Sequence, residues 1–250
     1  AKNLVKRAIQ WGHKAIAITD HGDVQAFPEA YHAADWGKAI KVLYGVECYL
    51  VNDSANAVVN PSDKDLNSEF VVFDIETTGL SPVTEAITEI GAVKIKDGQI
   101  VDSFNTFVNP LKPIPQKIVE LTGITDAMVE DAQPISVVLP QFYEFIGDAT
   151  LVAHNAGFDT SFIKNAAKEN GMEFNFCYVD TLELSRSLVN GVKNYKLDTL
   201  TKHFNVKLEN HHRACDDAAA TAQVFLKLID ILKEKEVNKI CDINNALEGA

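Results

Sequence analysis

The residues with the clearest capacity for chemistry are four acidic side chains in three separate segments. Asp74 and Glu76 lie in FVVFDIETTG, Asp159 lies in HNAGFD, and Asp217 lies in HHRACDD. Side chains at i and i+2 of a strand project to the same face, so a strand over FVVFDIE would place Asp74 beside Glu76. Neighbouring carboxylates repel each other unless a cation lies between them. A bare pair of this kind is more often incidental, so its meaning depends on the other two segments.

Asp159 and Asp217 each fall in the opening turn of a predicted helix, on its apolar side. Asp159 shares a face with Ile163, and Asp217 shares a face with Val224 and Leu228 at helical spacing. Taken alone, an acid at a helix start is more often a cap that the helix dipole favours. Four converging carboxylates, however, require about two divalent cations, and two ions ~3.5–4 Å apart are a common device for phosphodiester hydrolysis.

His212 lies five positions before Asp217, on the loop that enters the same predicted helix. Its ordinary pKa of ~6.5 allows it to accept a proton from an attacking water. We therefore predict His212 as the general base and the four carboxylates as metal ligands. The competing interpretation of a lone histidine beside a helix is a structural or solvent-facing role.

The order of these segments resembles the DEDDh family of 3′→5′ exonucleases over residues 70–232. DIETTG, HNAGFD and the pair His212 and Asp217 match the three motifs of that family. The resemblance implies an α/β fold, a ribonuclease H-like mixed five-stranded sheet with flanking helices. It also implies two Mg²⁺ or Mn²⁺ ions and removal of 3′-terminal nucleotides from DNA ends. The implied substrate contacts are Thr77, Thr78, Gly79, Leu80 and Phe158. Core packing is the alternative interpretation for Leu80 and Phe158.

One mixed α/β domain over residues 69–236 must position these side chains. Apolar runs predict strands at 70–76, 89–95, 100–108, 150–154 and in CYVD, with a tight turn at Lys96–Gln99. Helical periodicity indicates helices at 115–121, 135–145, 158–169 and 216–233. Strands that come first as a meander and then alternate with helices predict a central mixed sheet with helices on both faces.

The first 51 residues alternate helix and strand and carry a second, weaker motif. AIAITDHG followed by YGVE resembles the middle of a PHP domain, whose implied metal ligands are His21 and Glu47, with Asp20 alongside. The H-x-H motif and the later ligands of that family are absent, so we expect a partial, inactive PHP segment. Residues 52–68, rich in Asn, Asp, Ser and Pro, are predicted as a linker. Residues 237–250 are predicted as a tail that returns to the PHP domain.

An exonuclease inserted after the G-V-E strand of a PHP domain resembles the arrangement in a class of bacterial replicative DNA polymerases. That resemblance implies a proofreading role and, as partners, the remainder of the polymerase and the replisome. Three alternatives remain open. They are an exoribonuclease with the same site, a catalytically silent docking module, and a PHP phosphoesterase. Only contacts to the 2′-hydroxyl would distinguish the exoribonuclease.

Composition limits the class of protein without deciding its function. The 250 residues carry a net charge of −12, with 46% hydrophobic and 23% charged residues. No apolar run approaches the ~20 residues of a membrane-spanning helix, no signal peptide is visible, and four scattered cysteines favour reduced thiols, so we expect a cytoplasmic location. Basic residues are concentrated locally between 193 and 213. A solvated helical face and a phosphate-contacting patch are equally good interpretations of this segment.

Overall fold

The computed structural model describes residues 1–48, 56–207 and 213–247. The chain forms two compact units, Ala1–Asp53 and Ser54–Ala250. In the first unit, helices α1 (Lys2–Gln10) and α2 (Ala26–Ala33) pack on two parallel strands, β1 (Ala15–His21) and β2 (Lys41–Glu47). Its small core contains Val5, Ile18 and Ile40. Among the described residues, no helix is both long and apolar enough to cross a membrane.

The second unit is built on a six-stranded mixed sheet in the order β3-β8-β7-β4-β5-β6. The strands are β3 (Val58–Val59), β4 (Phe70–Thr77), β5 (Ile87–Lys96), β6 (Gln99–Phe107), β7 (Thr150–Ala153) and β8 (Tyr178–Asp180). Strands β4, β5 and β6 form an antiparallel meander, and β7 and β8 extend it in parallel from β4. Five of these strands are the five predicted from the sequence, and β3 is an addition to them.

Helices cover both faces of this sheet. The helices of this unit are α3 (Gln116–Thr122), α4 (Asp126–Val129), α5 (Ile135–Ile146), α6 (Ala156–Glu169), α7 (Thr181–Leu188), α8 (Leu197–His203), α9 (Ala214–Glu234) and α10 (Ile243–Leu247), the last preceded by a 3-10 turn, Ile240–Asp242. Of these, α3 and α4 pack in a small separate cluster. The predicted hairpin turn between β5 and β6 is confirmed, because Asp97 and Gly98 have φ angles of 52° and 73°, the pair of positive values that a tight two-residue turn requires.

The alternation of side chains along β4 decides which layer each residue faces. Phe70 and Val72 enter the core beneath α7, α8 and α9, whereas Val71, Phe73 and Ile75 enter the core beneath α5 and α6. The next residues on the α9 face are Asp74 and Glu76. The strand therefore directs its two acids toward the layer that contains α9, as the i, i+2 spacing predicts.

Residues 56–68, predicted as part of a linker, instead belong to the second unit and pack into its core. Val58 and Val59 pair with β8, and Ala57, Val58 and Leu66 are buried in the core beneath α9. The few apolar side chains in this polar stretch are the ones that the core takes up. The remainder of the predicted linker lies outside the described residues.

The described residues of the predicted tail, 237–247, also belong to the second unit. Ile240, Ile243 and Leu247 are buried in the same core, and the side chain of Asn244 exchanges two hydrogen bonds, of 2.8 and 2.9 Å, with the backbone of Val58. The segments that enter and leave this unit are thus joined to each other.

Candidate active site

Three carboxylates meet at the carboxyl end of β4. Asp74 and Glu76 come from β4, and Asp217 comes from the first turn of α9 on the same face. One ligand oxygen from each lies within 4.8 Å of the others. Asp217 is 5% exposed. Such a set of oxygen ligands suits a hard divalent cation such as Mg²⁺.

Asp159 reaches the same edge of the sheet from the opposite layer. It lies in the first turn of α6, is 3% exposed, and accepts a 3.2 Å hydrogen bond from the backbone N–H of Ile75. Its charge acts on Asp74 more strongly than that of any other neighbouring carboxylate. The fourth predicted ligand is therefore adjacent to the cluster, although it does not share the 4.8 Å separation of the other three.

Burial raises the pKa values of the acids in the cluster. Burial, followed by the charges of Asp159 and Glu76, raises the pKa of Asp74 well above its ordinary range. Burial likewise raises the pKa of Glu76 and that of Asp159 to about 8. At neutral pH the metal-free cluster therefore holds protons that a divalent cation must displace. The donor set fits a divalent cation, because a bound cation supplies the positive charge that these buried, mutually repelling carboxylates lack.

Glu89 is a fifth acid beside the cluster, and none of the three sequence motifs contains it. It lies on β5 opposite Glu76 and is only 1% exposed. Arg213 donates to it through Nη2 at 2.9 Å and Nε at 3.3 Å, and the backbone N–H of Ala214 donates at 3.2 Å. Glu89 thus fixes the residues that begin α9, the helix that presents Asp217.

Gly91 allows that helix to approach the sheet. A Cβ at this position would overlap the backbone of Ala214 and Cys215. Glycine is therefore required for close approach of β5 to the first turn of α9, rather than for a special backbone angle. Together, Gly91 and the ion pair between Glu89 and Arg213 set the depth at which α9 docks. The signal in the sequence for Gly91 was a glycine inside an apolar strand, in the run EIGAV.

The turn after β4 is shaped by its own hydrogen bonds. The hydroxyl of Thr77 donates to the carbonyl of Gly79 at 2.7 Å, and that of Thr78 donates to Glu85 at 2.6 Å. Lys112 also donates to Glu85 at 2.8 Å. Both threonine side chains are buried, so in this structure they stabilise the turn beside the acids.

The two apolar residues predicted to contact substrate have different environments. Leu80 is 84% exposed, the largest value for a large apolar side chain among the described residues. Core packing therefore does not account for Leu80. Phe158 packs against Phe162, with ring centroids 5.1 Å apart, at the border of the core beneath α6. Its packing agrees with the competing structural interpretation.

The predicted general base, His212, lies outside the described residues, as does His211. Arg213, the next residue, is described and is held by Glu89 as above. The role of His212 therefore remains the prediction made from the third motif.

Asp180 and His154 organise the neighbouring part of the sheet edge. Asp180 caps α7 by accepting from the N–H of Leu182 at 2.9 Å, and it accepts from the N–H groups of Asn155 and Ala156 at 3.0 Å. One partly buried carboxylate thereby fixes the starts of α6 and α7. His154 lies at the end of β7, with Nδ1 2.9 Å from Oγ1 of Thr181.

In the first unit, His21 and Glu47 end two paired parallel strands and lie opposite each other. His21 Nδ1 is 3.2 Å from Glu47 Oε2, and both side chains are more than 60% exposed. Asp20 accepts from the N–H of Ala26 at 2.6 Å, so it caps the approach to α2. The described residues of this unit contain no cluster of three metal-ligating groups.

Comparison with known families gives two matches. The family described as exonuclease matches residues 71–225, and the PHP domain family matches residues 1–119. The first match covers more than half of the chain and includes Asp74, Glu76, Asp159, His212 and Asp217. The second covers the first unit and overlaps the first match over residues 71–119.

Two curated relatives are DNA polymerase III PolC-type proteins. The one from Caldanaerobacter subterraneus subsp. tengcongensis is 54% identical over 99% of this chain, and the one from Clostridium perfringens is 51% identical over 94%. This chain spans only 18% and 16% of their respective lengths. The similarity therefore concerns one region of much longer proteins.

Two solved structures resemble the second unit. Exonuclease X in complex with 5′ overhanging duplex DNA is 32% identical, with a TM-score of 0.55, and the match covers 70% of this chain and 99% of that protein. E. coli exonuclease I in complex with a dT13 oligonucleotide is 17% identical, with a TM-score of 0.60, and covers 68% of this chain and 42% of that one. The second likeness concerns the fold alone.

Proposed function

Because this chain belongs to the exonuclease family, we propose that it is a metal-dependent 3′→5′ exodeoxyribonuclease that proofreads for a replicative DNA polymerase. The observation that carries the proposal is the convergence of Asp74, Glu76 and Asp217 within 4.8 Å, with Asp159 beside them. Three separate segments contribute to one site, which chance rarely produces.

We assign a separate role in hydrolysis to each group of side chains. Asp74, Glu76, Asp159 and Asp217 would hold two divalent cations, Mg²⁺ or Mn²⁺. Bound there, such cations neutralise phosphate charge and lower the pKa of a bound water. His212 accepts the proton of the attacking water. The exposed Leu80, next to the turn that follows β4, contacts the terminal base.

The proofreading assignment rests on the PolC-type relatives. Similarity to them runs through both the PHP-like unit and the exonuclease unit. We propose that the remainder of such a polymerase and the replisome are its partners, and that it acts in the cytoplasm. We propose that the PHP-like unit, in which His21 and Glu47 match the PHP motif, is a partial segment without phosphoesterase activity of its own.

A terminal mismatch should be removed about tenfold or more faster than a matched pair, because unpairing a matched end costs a few kcal/mol. The measurement compares primer–templates that differ only in the last pair, with the single-stranded primer as the reference. An oligoribonucleotide of the same sequence tests the sugar. Faster digestion of the RNA, or equal rates on matched and mismatched ends, would contradict the proofreading assignment.

A further inference from the structure

A basic groove lies beside the acidic cluster, in a protein whose net charge is −12. The cavity has a volume of about 750 Å³ and is lined by His154, Asn155, Arg186, Lys193 and Lys196, among others. Three of these side chains are cations, they are exposed, and none of the lining residues is acidic. Arg186 donates one N–H to Glu183 at 2.6 Å and retains other donors.

The groove follows the edge of the sheet that carries the cluster. Strands β4, β7 and β8 are parallel and neighbours, so their carboxyl ends share one edge. Val72 lies opposite Val152, and Asp74 and His154 each lie two residues further along the chain, toward this same edge. The groove begins at His154 and Asn155 and extends past the end of β8. Strand β8 is the second neighbour of β4 in the sheet, at a distance of about 10 Å.

His154 fixes the outer wall of the groove. Its Nδ1 lies 2.9 Å from Oγ1 of Thr181, and its ring is also hydrogen-bonded to the backbone of Tyr195. Burial lowers the pKa of His154 to about 4, so the ring is neutral at physiological pH. It joins the segment that carries Lys193 and Lys196 to the end of β7 without adding charge.

That segment is held in one conformation by further hydrogen bonds. Oδ1 of Asn194 accepts from the N–H of Lys196 at 3.1 Å and from the hydroxyl of Thr199 at 2.7 Å. The hydroxyl of Tyr195 donates to the carbonyl of Val189 at 3.2 Å. The cations therefore project from a wall that is already ordered, which lowers the entropic cost of binding an anion.

We propose that this groove binds the phosphodiester backbone of single-stranded DNA on the 5′ side of the scissile phosphate. The inference rests on the proposed function and identifies where the strand lies. Two observations identify the occupant. The cations of the groove complement the charge of phosphates, and the groove lies on the same sheet edge as Asp74, so a strand whose last phosphate is at Asp74 can continue into it. Cations that touch phosphates position a strand without reading its sequence.

Reversing two charges of the groove tests the proposal. In Lys193→Glu/Lys196→Glu, KM for an oligothymidylate should rise about tenfold or more while kcat is retained, because phosphate contacts dominate affinity for nucleic acid. Binding is measured by fluorescence anisotropy in EDTA at several salt concentrations. The slope of the logarithm of the binding constant against the logarithm of the salt concentration should fall in magnitude by about 1.4, since each contacted phosphate of a single strand contributes about 0.7. Lys168→Glu is the control, at the far end of α6 about 18 Å from Ala156.

A substrate without upstream phosphates separates this proposal from the proposed function. Hydrolysis of the p-nitrophenyl ester of thymidine 5′-monophosphate should be the same in the wild type and in the double variant. Unchanged oligothymidylate KM and affinity in the double variant, or equal losses in Lys168→Glu, would overturn the groove assignment. A wild type that cleaves neither substrate would instead overturn the proposed function, while the anisotropy comparison would still decide whether the groove binds DNA.

Discussion

Asp217→Asn should abolish cleavage and metal binding together. Asp217 is the acid of α9 that lies within 4.8 Å of Asp74 and Glu76. Because metal ions supply several kcal/mol of transition-state stabilisation, loss of this proposed ligand should lower the rate about 10³-fold or more. Mg²⁺ should raise the Tm of the wild type, because it binds only the folded state, and should no longer do so in the variant. Cleavage rate and Tm with and without Mg²⁺ are the two measurements.

The neighbouring acid provides the matched control. Asp216 is one residue away and about 100° around the helix, so Asp216→Asn should keep most of the activity and the Mg²⁺-induced Tm shift. Without metal, Asp217→Asn should be at least as stable as the wild type, because it removes one of several repelling carboxylates. If Asp217→Asn cleaved at the wild-type rate, or Asp216→Asn were the inactive variant, the assignment of the third motif would be wrong.

His212→Ala should cleave about 10²–10⁴-fold more slowly, the usual cost of losing a positioned proton acceptor, while it still binds metal and DNA. The Mg²⁺-induced Tm shift should therefore survive, in contrast to Asp217→Asn. The wild-type rate should rise with pH through the range where an imidazole loses its proton, near pH ~6.5, and His212→Ala should flatten that rise. Single-turnover rates over a pH series measure both effects.

His211→Ala is the control for this prediction, because it removes an imidazole one position away. It should leave most of the activity. An inactive His211→Ala beside an active His212→Ala would show that the third motif is displaced by one residue and that the assigned base is wrong.

The faces of the strands and helices could be predicted from the sequence, because they depend on local periodicity. The i, i+2 spacing of Asp74 and Glu76 placed them opposite Phe73 and Ile75, and helical spacing placed Asp217 inward, as the structure shows. The family predicted from the three motifs is confirmed by the exonuclease match, and the ribonuclease H-like α/β fold by its structural neighbours.

Contacts between distant segments could not be predicted in the same way. Glu89 and Arg213 are 124 positions apart, and nothing local marks an acid in a strand as the partner of that arginine. Val58, in a polar stretch, joins the sheet because β8 offers it an open edge and Asn244 satisfies its backbone. Burial of a few side chains thus outweighed the composition of residues 56–68, which was typical of a linker.

We propose that this acidic cluster hydrolyses DNA from the 3′ end with the help of divalent metal. One time course tests it most directly: 5′-labelled single-stranded DNA incubated with the wild-type chain in Mg²⁺, in EDTA, and in EDTA followed by excess Mg²⁺. We expect labelled products that shorten one nucleotide at a time in Mg²⁺, no cleavage in EDTA, and recovery when Mg²⁺ is restored. Release of the label first as a mononucleotide, or full activity in EDTA, would contradict it.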